Sequence, residues 1–438
     1  MGIDQGAHSP HVLRKIIHAG VQNTSFATGS ETLQVLAGLN IPEKQVERLT
    51  KRIGQERVAQ REAQVEAFLE LPLMERGTAP GQSPNLAVVS MDGGRLQILD
   101  RRRAAAEQSA AGPCEADAPA ASPGQPGSEP EAEADENQHR HGHWREDKIG
   151  LLMTMTSEES NQDPCPQIPE TFVNPLKIPK MVREIKRSVR VGEDGVAEAV
   201  ADAPASELEE CPEYTPPQVR VKSMVGTRAG AKRFGAILAA AAFARGFFGA
   251  KRKAFVADGA ETNWTIHRQW FSDFVPILDF IHALSYVFSA AMADRGFRAG
   301  WEVYQRWIAL VWKGRVAAVI AELEQRQQEL GLPEAGDSET SPRQVVADAL
   351  TYLTNNQHRM KYDEYRRLGL PMVSSHVEST VKRFNRRVKG TEKFWSEEGA
   401  EAVLQLRADY LSETESMEKY WQEREARATG RRVYRRHG

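Results

Sequence analysis

The sequence predicts an α/β protein: a mixed five-stranded sheet with helices on both faces, an all-helical block ahead of the last core helix, and a small helical domain at the N-terminus. Three observations predict it. Residues 254–257, Ala-Phe-Val-Ala, form a short apolar run between Arg252-Lys253 and Asp258-Gly259, the pattern of a buried strand ending on a carboxylate. Residues 85–99 and 148–156 are apolar stretches of strand length. Residues 296–330 and 342–367 are helical in pattern, separated only by the loop 331–341.

Composition narrows the function classes. The 438 residues suffice for two or three domains. Charged residues make up 27%, and no apolar run approaches the roughly 18 residues of a membrane span; the longest, 234–248, is interrupted by Arg245 and Gly246. The opening MGIDQGAHSP has no signal-peptide pattern. Cys114, Cys165 and Cys211 are few, odd in number and widely spaced, which suits neither a disulfide framework nor a zinc site and fits a reducing cytoplasm. The expected location is therefore cytoplasmic, with no membrane partner. The net charge of −3 hides a division. Residues 104–139 and 191–219 each hold eight acidic residues and no Lys or Arg; the remaining 373 residues carry +13. A basic folded part suggests an anionic partner such as nucleic acid.

Taken in order, residues 1–24 show little periodicity. Residues 28–38 and 43–63 predict two helices around Gly38-Leu-Asn-Ile-Pro42, with Pro42 suited to a first helical turn. Val46, Leu49 and Ile53 form one stripe of the second helix; Lys44, Arg48, Lys51, Arg52 and Arg57 take other faces. The residues fit either a helix-turn-helix that meets DNA or a plain αα-hairpin with a solvated charged face. Residues 85–99 predict two strands joined by a Gly93-Gly94 turn, with Asp92 ending the first. Residues 104–138 are rich in Ala, Pro, Glu and Gly and predict a disordered insertion. His139, His141 and His143 alternate as a strand would need for a metal, but without partner spacing they fit a polar loop better.

Residues 148–156 predict a third strand, 157–190 an irregular stretch with five prolines, and 191–215 a second disordered acidic insertion. An Ala-rich helix follows at 230–249. Gly226-Thr-Arg-Ala-Gly-Ala-Lys lacks the glycine spacing of a phosphate loop. After the Asp258 strand, residues 274–280 predict another short buried strand running into a helix that begins at Asp279-Phe-Ile-His282. Trp301, Tyr304, Trp307 and Trp312 have the spacing of a core stripe. The last core helix carries Glu378 and then Lys382, Arg383, Arg386, Arg387, Lys389 and Lys393, either a solvated basic face or a contact to a duplex backbone. The expected divisions are 1–70 (helical), 84–295 (first part of the core), 296–370 (helical insertion), 371–425 (last core helices) and 426–438 (basic tail).

Asp92 and Asp258 each end a predicted strand, and Glu378 lies near a helix start, 166 and 120 residues apart in turn. Three strands, a helix, two strands, a helical block and a last helix is the order of a ribonuclease-H-like domain with an insertion before its last helix. In that topology the first and fourth strands are adjacent, the last helix packs beside them, and three carboxylates converge. Such a cluster repels itself unless a cation joins it, and hard oxygen ligands select Mg²⁺ or Mn²⁺. Two ions would serve in-line phosphoryl transfer.

Met91-Asp-Gly-Gly, Val256-Ala-Asp-Gly-Ala, Leu278-Asp-Phe-Ile-His-Ala-Leu, Gly369-Leu-Pro, Ser375-His-Val-Glu-Ser, Arg387-Val-Lys-Gly-Thr, Phe394-Trp and Leu404-Gln-Leu-Arg407, in that order, resemble bacterial insertion-sequence DDE transposases, specifically the Kra-type family related to Mutator-like enzymes. The resemblance covers roughly residues 28–100 and 144–412. It implies a DNA transposase with Asp92, Asp258 and Glu378 as the catalytic, metal-binding triad and Asp279-x-x-His282 as the family signature near the site. It implies a helix-turn-helix at 28–63 that binds transposon ends. The DNA-binding residues it suggests are Arg48, Lys51, Arg52, Lys382, Arg383, Arg386, Arg387 and Lys389. The implied partners are transposon-end and target DNA, with a homodimer or higher oligomer on DNA in the nucleoid. Two departures are visible: the family has more chain, often cysteine-bearing, before the first helix pair, and a glycine where Ser375-His376 stands. A DNA-binding protein without catalysis and a nuclease that cuts without joining are the alternatives.

Overall fold

The computed structural model describes residues 8–77, 83–99, 142–185, 214–390 and 393–428, without the side chains of Leu99, His143, Ser375 and Glu378. Residues 104–138, 191–213 and 429–438, which hold nearly all of the two acidic insertions and of the basic tail, lie outside the described residues, as do His139, His141, Cys114 and Cys211. Among the described residues no helix is long and apolar enough to cross a membrane.

The architecture is mixed α/β, built on an open mixed sheet of order β3-β2-β1-β4-β5. The strands are β1 (Leu86–Leu99), β2 (Gly142–Thr156), β3 (Gln218–Thr227), β4 (Arg252–Ala257) and β5 (Val275–Leu278). β2 is antiparallel to both of its neighbours, β1 and β3, whereas β4 and β5 run parallel to β1. A sixth short strand, β6 (Phe394–Trp395), pairs with β1 at Gln97 and Ile98. Residues 86–89 of β1 and 254–257 of β4 are buried throughout, the composition of strands covered on both faces.

The register shows what covers each face. Neighbouring residues of a strand point to opposite sides of the sheet. A Cβ at Gly150 would stand 2.5 Å from Leu238, so α6 (Ala231–Ala244) lies on that side. A Cβ at Gly226 would stand 2.7 Å from Phe384, so α13 (Ser375–Val388) lies on the other, followed by α14 (Glu397–Leu411). Because Ile149 pairs with Gly226, and Asp92 with Ile149, Asp92 points to the α13 side.

Four expectations need correction here. Gly93-Gly94 makes no turn: β1 runs straight through it and pairs with β2 along its whole length. The glycine is required by space, since a Cβ at Gly94 would come within 2.8 Å of the Asp147 carboxylate across the ladder. The stretch 148–156, expected as the third strand, belongs to the second, β2, which begins at Gly142; the third is β3, for which no strand was expected. The region 1–24 contains α1 (Pro10–Gln22), capped by Ser9 and started by Pro10, with Leu13, Ile16, Ile17 and Val21 buried on one stripe. Residues 157–190, read as irregular, include α5 (Lys177–Ile185) after α4 (Leu73–Arg76) in chain order.

α2 (Phe26–Ala37) and α3 (Glu43–Glu70) complete the N-terminal helices. Their core is shared with the C-terminal ones: Leu13, Ile17, Val46, Leu49 and Ile53 pack with Leu406 of α14 and with Met417, Tyr420 and Trp421 of α15 (Ser416–Ala426). Farther along α3, Val65 and Phe68 join the core of the sheet. Two buried arginines fix this arrangement. Arg387 donates to Gly20 O at 3.1 Å and Thr24 O at 3.4 Å, with its guanidinium 4.3 Å from the Phe26 ring centroid. Arg407 donates to Gln22 Oε1 at 2.6 Å and Arg383 O at 2.8 Å. Burial lowers each of these two guanidinium pKa values to about 10.

Arg387 is therefore a correction to the DNA-binding set: only 2% of it is exposed, and it ties α13 to the α1–α2 junction. Replacing it by Ala removes charged hydrogen bonds to two carbonyls and a ring contact, an expected loss of about 2–4 kcal/mol. A urea unfolding curve should show the lower midpoint; an unchanged midpoint would leave the arginine free for another role.

Candidate active site

The carboxylates gather where β1 outruns its neighbour. β4 pairs with β1 only from Leu86–Arg252 to Ser90–Val256, while β1 continues to Leu99. Asp92 and Asp258 each stand two positions beyond the Ser90–Val256 pair. The parallel register thus sets side by side two residues 166 apart in the chain. Asp279 is likewise one position beyond the Ala257–Leu278 pair, so the middle of β1 and the ends of β4 and β5 present an aspartate row. The outer ends of parallel strands in an open sheet are the usual place for a ligand.

Each aspartate is held by backbone or amide donors. Gly93 N–H donates to Asp92 Oδ1 at 2.7 Å. Asp258 Oδ1 accepts from Ala260 N at 2.9 Å and from Asn263 Nδ2 at 2.7 Å. Among the described residues, the second oxygen of each has no hydrogen bond. Burial pushes the Asp92 pKa up; the Gly93 N–H opposes this, while the nearby Asp258 and Asp279 carboxylates add to it and His282 counters it. Bringing two more acids up to a half-buried acid is costly without a cation, and the open oxygens are hard donors suited to Mg²⁺ or Mn²⁺.

Asp279 differs from the other two. It is completely buried and caps α8 (Phe280–Met292), with Oδ1 accepting from Ile281 N at 2.6 Å and His282 N at 3.1 Å. Its Oδ2 accepts from Ser374 N, just ahead of α13. Burial alone would raise its pKa, but hydrogen bonds from His282 and Ser374 outweigh it and hold the carboxyl below its ordinary value. With its oxygens engaged in this way, Asp279 supports the site rather than offering it a ligand. His282 Nδ1 lies 3.6 Å from Asp279 Oδ1.

The backbone of Glu378 lies in the first turn of α13, the helix on the face toward which Asp92 points. Val377, Val381, Phe384 and Val388 form the buried stripe of that helix, and residue 378 follows Val377. Its carboxylate lies outside the described residues. Among the described residues no group of three or more His, Cys, Asp or Glu side chains is arranged to hold a metal, and Asp92 and Asp258 are two of the three expected.

Lys382, Arg383, Arg386 and Lys389 are exposed on α13, and Lys382 meets Glu184 at 3.4 Å. On α3, Arg48 is exposed, Lys51 is paired with Glu47 at 2.6 Å, and Arg52 is half-buried. The wide separation of these groups in sequence contrasts with their position on helices that share buried contacts.

Sequence reasoning missed Asn263, which aims Asp258, although its place on α7 (Glu261–Trp270) one helical turn past the strand tip was a usable signal. It also missed the wall beside Asp258. Tyr286 and Tyr352 stack with centroids 3.7 Å apart, and a Cβ at Gly259 would meet Tyr352 at 2.2 Å. With Glu261, Asp348, Asn355 and Arg359 they line a cavity of about 610 Å³.

No protein-family model matches the chain, and no curated protein matches it by sequence.

Asp147 shares the Asp92 face, opposite Gly94, and is completely buried, with neither side-chain oxygen hydrogen-bonded to another described residue. Burial, opposed by its own backbone N–H and by Lys148 and Lys389 and aided by Glu146, raises its pKa to about 6. A folded state that holds this proton more tightly than the unfolded chain loses stability as pH rises from about 4 to about 6, and stays penalised above that. Asp147→Asn should therefore stabilise the protein at pH 8 by about 2–3 kcal/mol, with little effect near pH 4. Urea unfolding at the two pH values checks this; an equal effect at both would contradict it.

Proposed function

We propose that this protein is a DNA transposase of the DDE type with a ribonuclease-H-like catalytic core. One observation carries the reading: the parallel β1–β4 pairing sets Asp92 beside Asp258 on the face covered by the helix that bears Glu378. The strand order β3-β2-β1-β4-β5, with the first and fourth strands adjacent and a helical block between β5 and α13, supports it. That block comprises α9 (Phe297–Trp312), α10 (Val316–Leu330), α11 (Pro342–Asn356) and α12 (Tyr362–Arg367).

Asp92 and Asp258, with Glu378, would hold two Mg²⁺ or Mn²⁺ ions, which supply activation of the attacking hydroxyl and stabilisation of the leaving oxygen. The chain's own groups do the rest. The Gly93 and Ala260 N–H groups and the Asn263 amide orient the two aspartates before DNA arrives, so that little reorganisation is left for the reaction. Lys382, Arg383, Arg386 and Lys389, on the same helix as Glu378, are placed to hold backbone phosphates. Hydrolysis at a transposon end would free a 3′-hydroxyl; attack of that hydroxyl on a target phosphodiester would form the new P–O bond and break the old one, with the target strand's own 3′-oxygen leaving as a hydroxyl.

The test uses labelled intact and pre-cut DNA ends with the full chain. Asp92→Asn, Asp258→Asn and Glu378→Gln should each lower Mg²⁺-dependent cleavage and joining by about 10³-fold or more while end binding stays intact. Strand transfer retained in any of the three would overturn the assignment. Cutting without joining by the wild type would make it a nuclease, and binding alone a DNA-binding protein without catalysis.

A further inference from the structure

We propose that Asp279 is a positioning residue, whose two carboxylate oxygens clamp the end of β5 to the turn that opens α13 and so fix residue 378 opposite Asp92 and Asp258. The inference rests on the proposed function for its consequence, but the clamp itself stands on contacts.

The helical block creates the problem that the clamp solves. The chain leaves the sheet at Asp279, builds α8 to α12, and returns at Ser374, 95 residues later. Among the described residues no strand pairs with the outer side of β5, so the sheet ladder holds the returning chain only at β6, after α13, and not at Ser374. An edge strand offers unpaired groups on alternate residues. Here the returning chain takes them in turn. Tyr365 Oη donates to Pro276 O at 3.1 Å, Tyr362 Oη donates to Leu278 O at 3.0 Å, and Phe280 N donates to Met372 O at 2.9 Å. Asp279 adds the charged link, accepting the Ser374 N–H while capping α8 with Ile281 N and His282 N.

The position of this link matters most. Ser374 is four residues before Glu378, about one helical turn or 6 Å along the axis. A residue gripped there leaves the first turn of α13 little freedom to move. A fully buried carboxylate is tolerated only with its oxygens satisfied, so the geometry of the clamp is strict.

Asp279→Asn is the discriminating change. The side chain keeps its shape and can still cap α8 through Oδ1, but its amide would turn a donor toward the Ser374 N–H. Ser374→Pro removes the donor from the other side; Ser374 has φ of −93°, near the range of proline, and this variant carries the test if Asp279→Asn does not fold. Tyr362→Phe removes a neighbouring link of the same edge without touching the clamp. Hydrogen exchange on the full chain, read at residues 374–381, should speed up at least 10-fold in the first two variants and stay within 3-fold in Tyr362→Phe. In single-turnover reactions at saturating DNA, the cleavage rate of Asp279→Asn should fall at least 100-fold with end binding unchanged, while Tyr362→Phe keeps its rate within 3-fold. Wild-type exchange at 374–381 in a folded Asp279→Asn or Ser374→Pro protein overturns the clamp. Faster exchange with an undiminished cleavage rate overturns the positioning role. A wild-type chain that cuts no DNA defeats the functional reading, and the exchange result still decides the clamp.

Discussion

The parallel pairing of β1 and β4 is the constraint on which the rest of this structure depends. Parallel neighbours need a long crossover, and here β2, β3 and α6 form it, which fixes the order of the sheet. Once Ser90 is paired with Val256, Asp92 and Asp258 fall into line without further adjustment. The cost is electrostatic: burial and the neighbouring carboxylates raise the Asp92 pKa. Nothing about packing requires acids at these positions, since apolar residues would suit a strand end at least as well. An arrangement that is unfavourable by itself and geometrically strict is the usual mark of a site.

A second constraint is closure. The elements that complete the sheet return from long excursions, and each return is anchored by a buried polar group. Asp279 receives the chain after the helical block. Arg366, wholly buried, donates to Asp163 and to Trp312 O, joining α12 to the loop after β2 and to the end of α9. Arg387 and Arg407 join α13 and α14 to the α1–α2 junction. The long side chain and fixed fork of arginine suit this work, because one residue can satisfy carbonyls on separate elements. The N-terminal helices are therefore packed against the same helices that flank the aspartate row.

Much of this was legible locally. The Asp258 strand, the β5 strand and its junction with α8, and the helical block all show in apolar runs and helical spacing, because burial there follows chain-neighbour pattern. The aromatic stripe of Trp301, Tyr304, Trp307 and Trp312 is core, as its spacing suggests. What was illegible depends on partners far away in sequence. Gly93-Gly94 has the composition of a turn, and only the Asp147 carboxylate across the ladder explains why glycine stands inside a strand. β3 is half-exposed in its first part and buried only toward its end, so its alternation is faint beside the acidic stretch. Arg387 sits in a run of basic residues that look alike; its burial comes from Phe26, Gly20 and Thr24, more than 360 positions away. The roles of Asp92 and Asp258 were proposed from strand ends, and their register is now visible. Glu378 was placed by element order and by the family resemblance, and its helix lies on the face toward which Asp92 points.

The most direct measurement is anomalous diffraction from crystals of the full chain grown with Mn²⁺. Two peaks about 3.5–4 Å apart, bounded by the carboxylates of Asp92, Asp258 and Glu378, are expected. A well-ordered Glu378 side chain directed away from Asp92 and Asp258, with no Mn²⁺ between the two aspartates, would contradict that expectation.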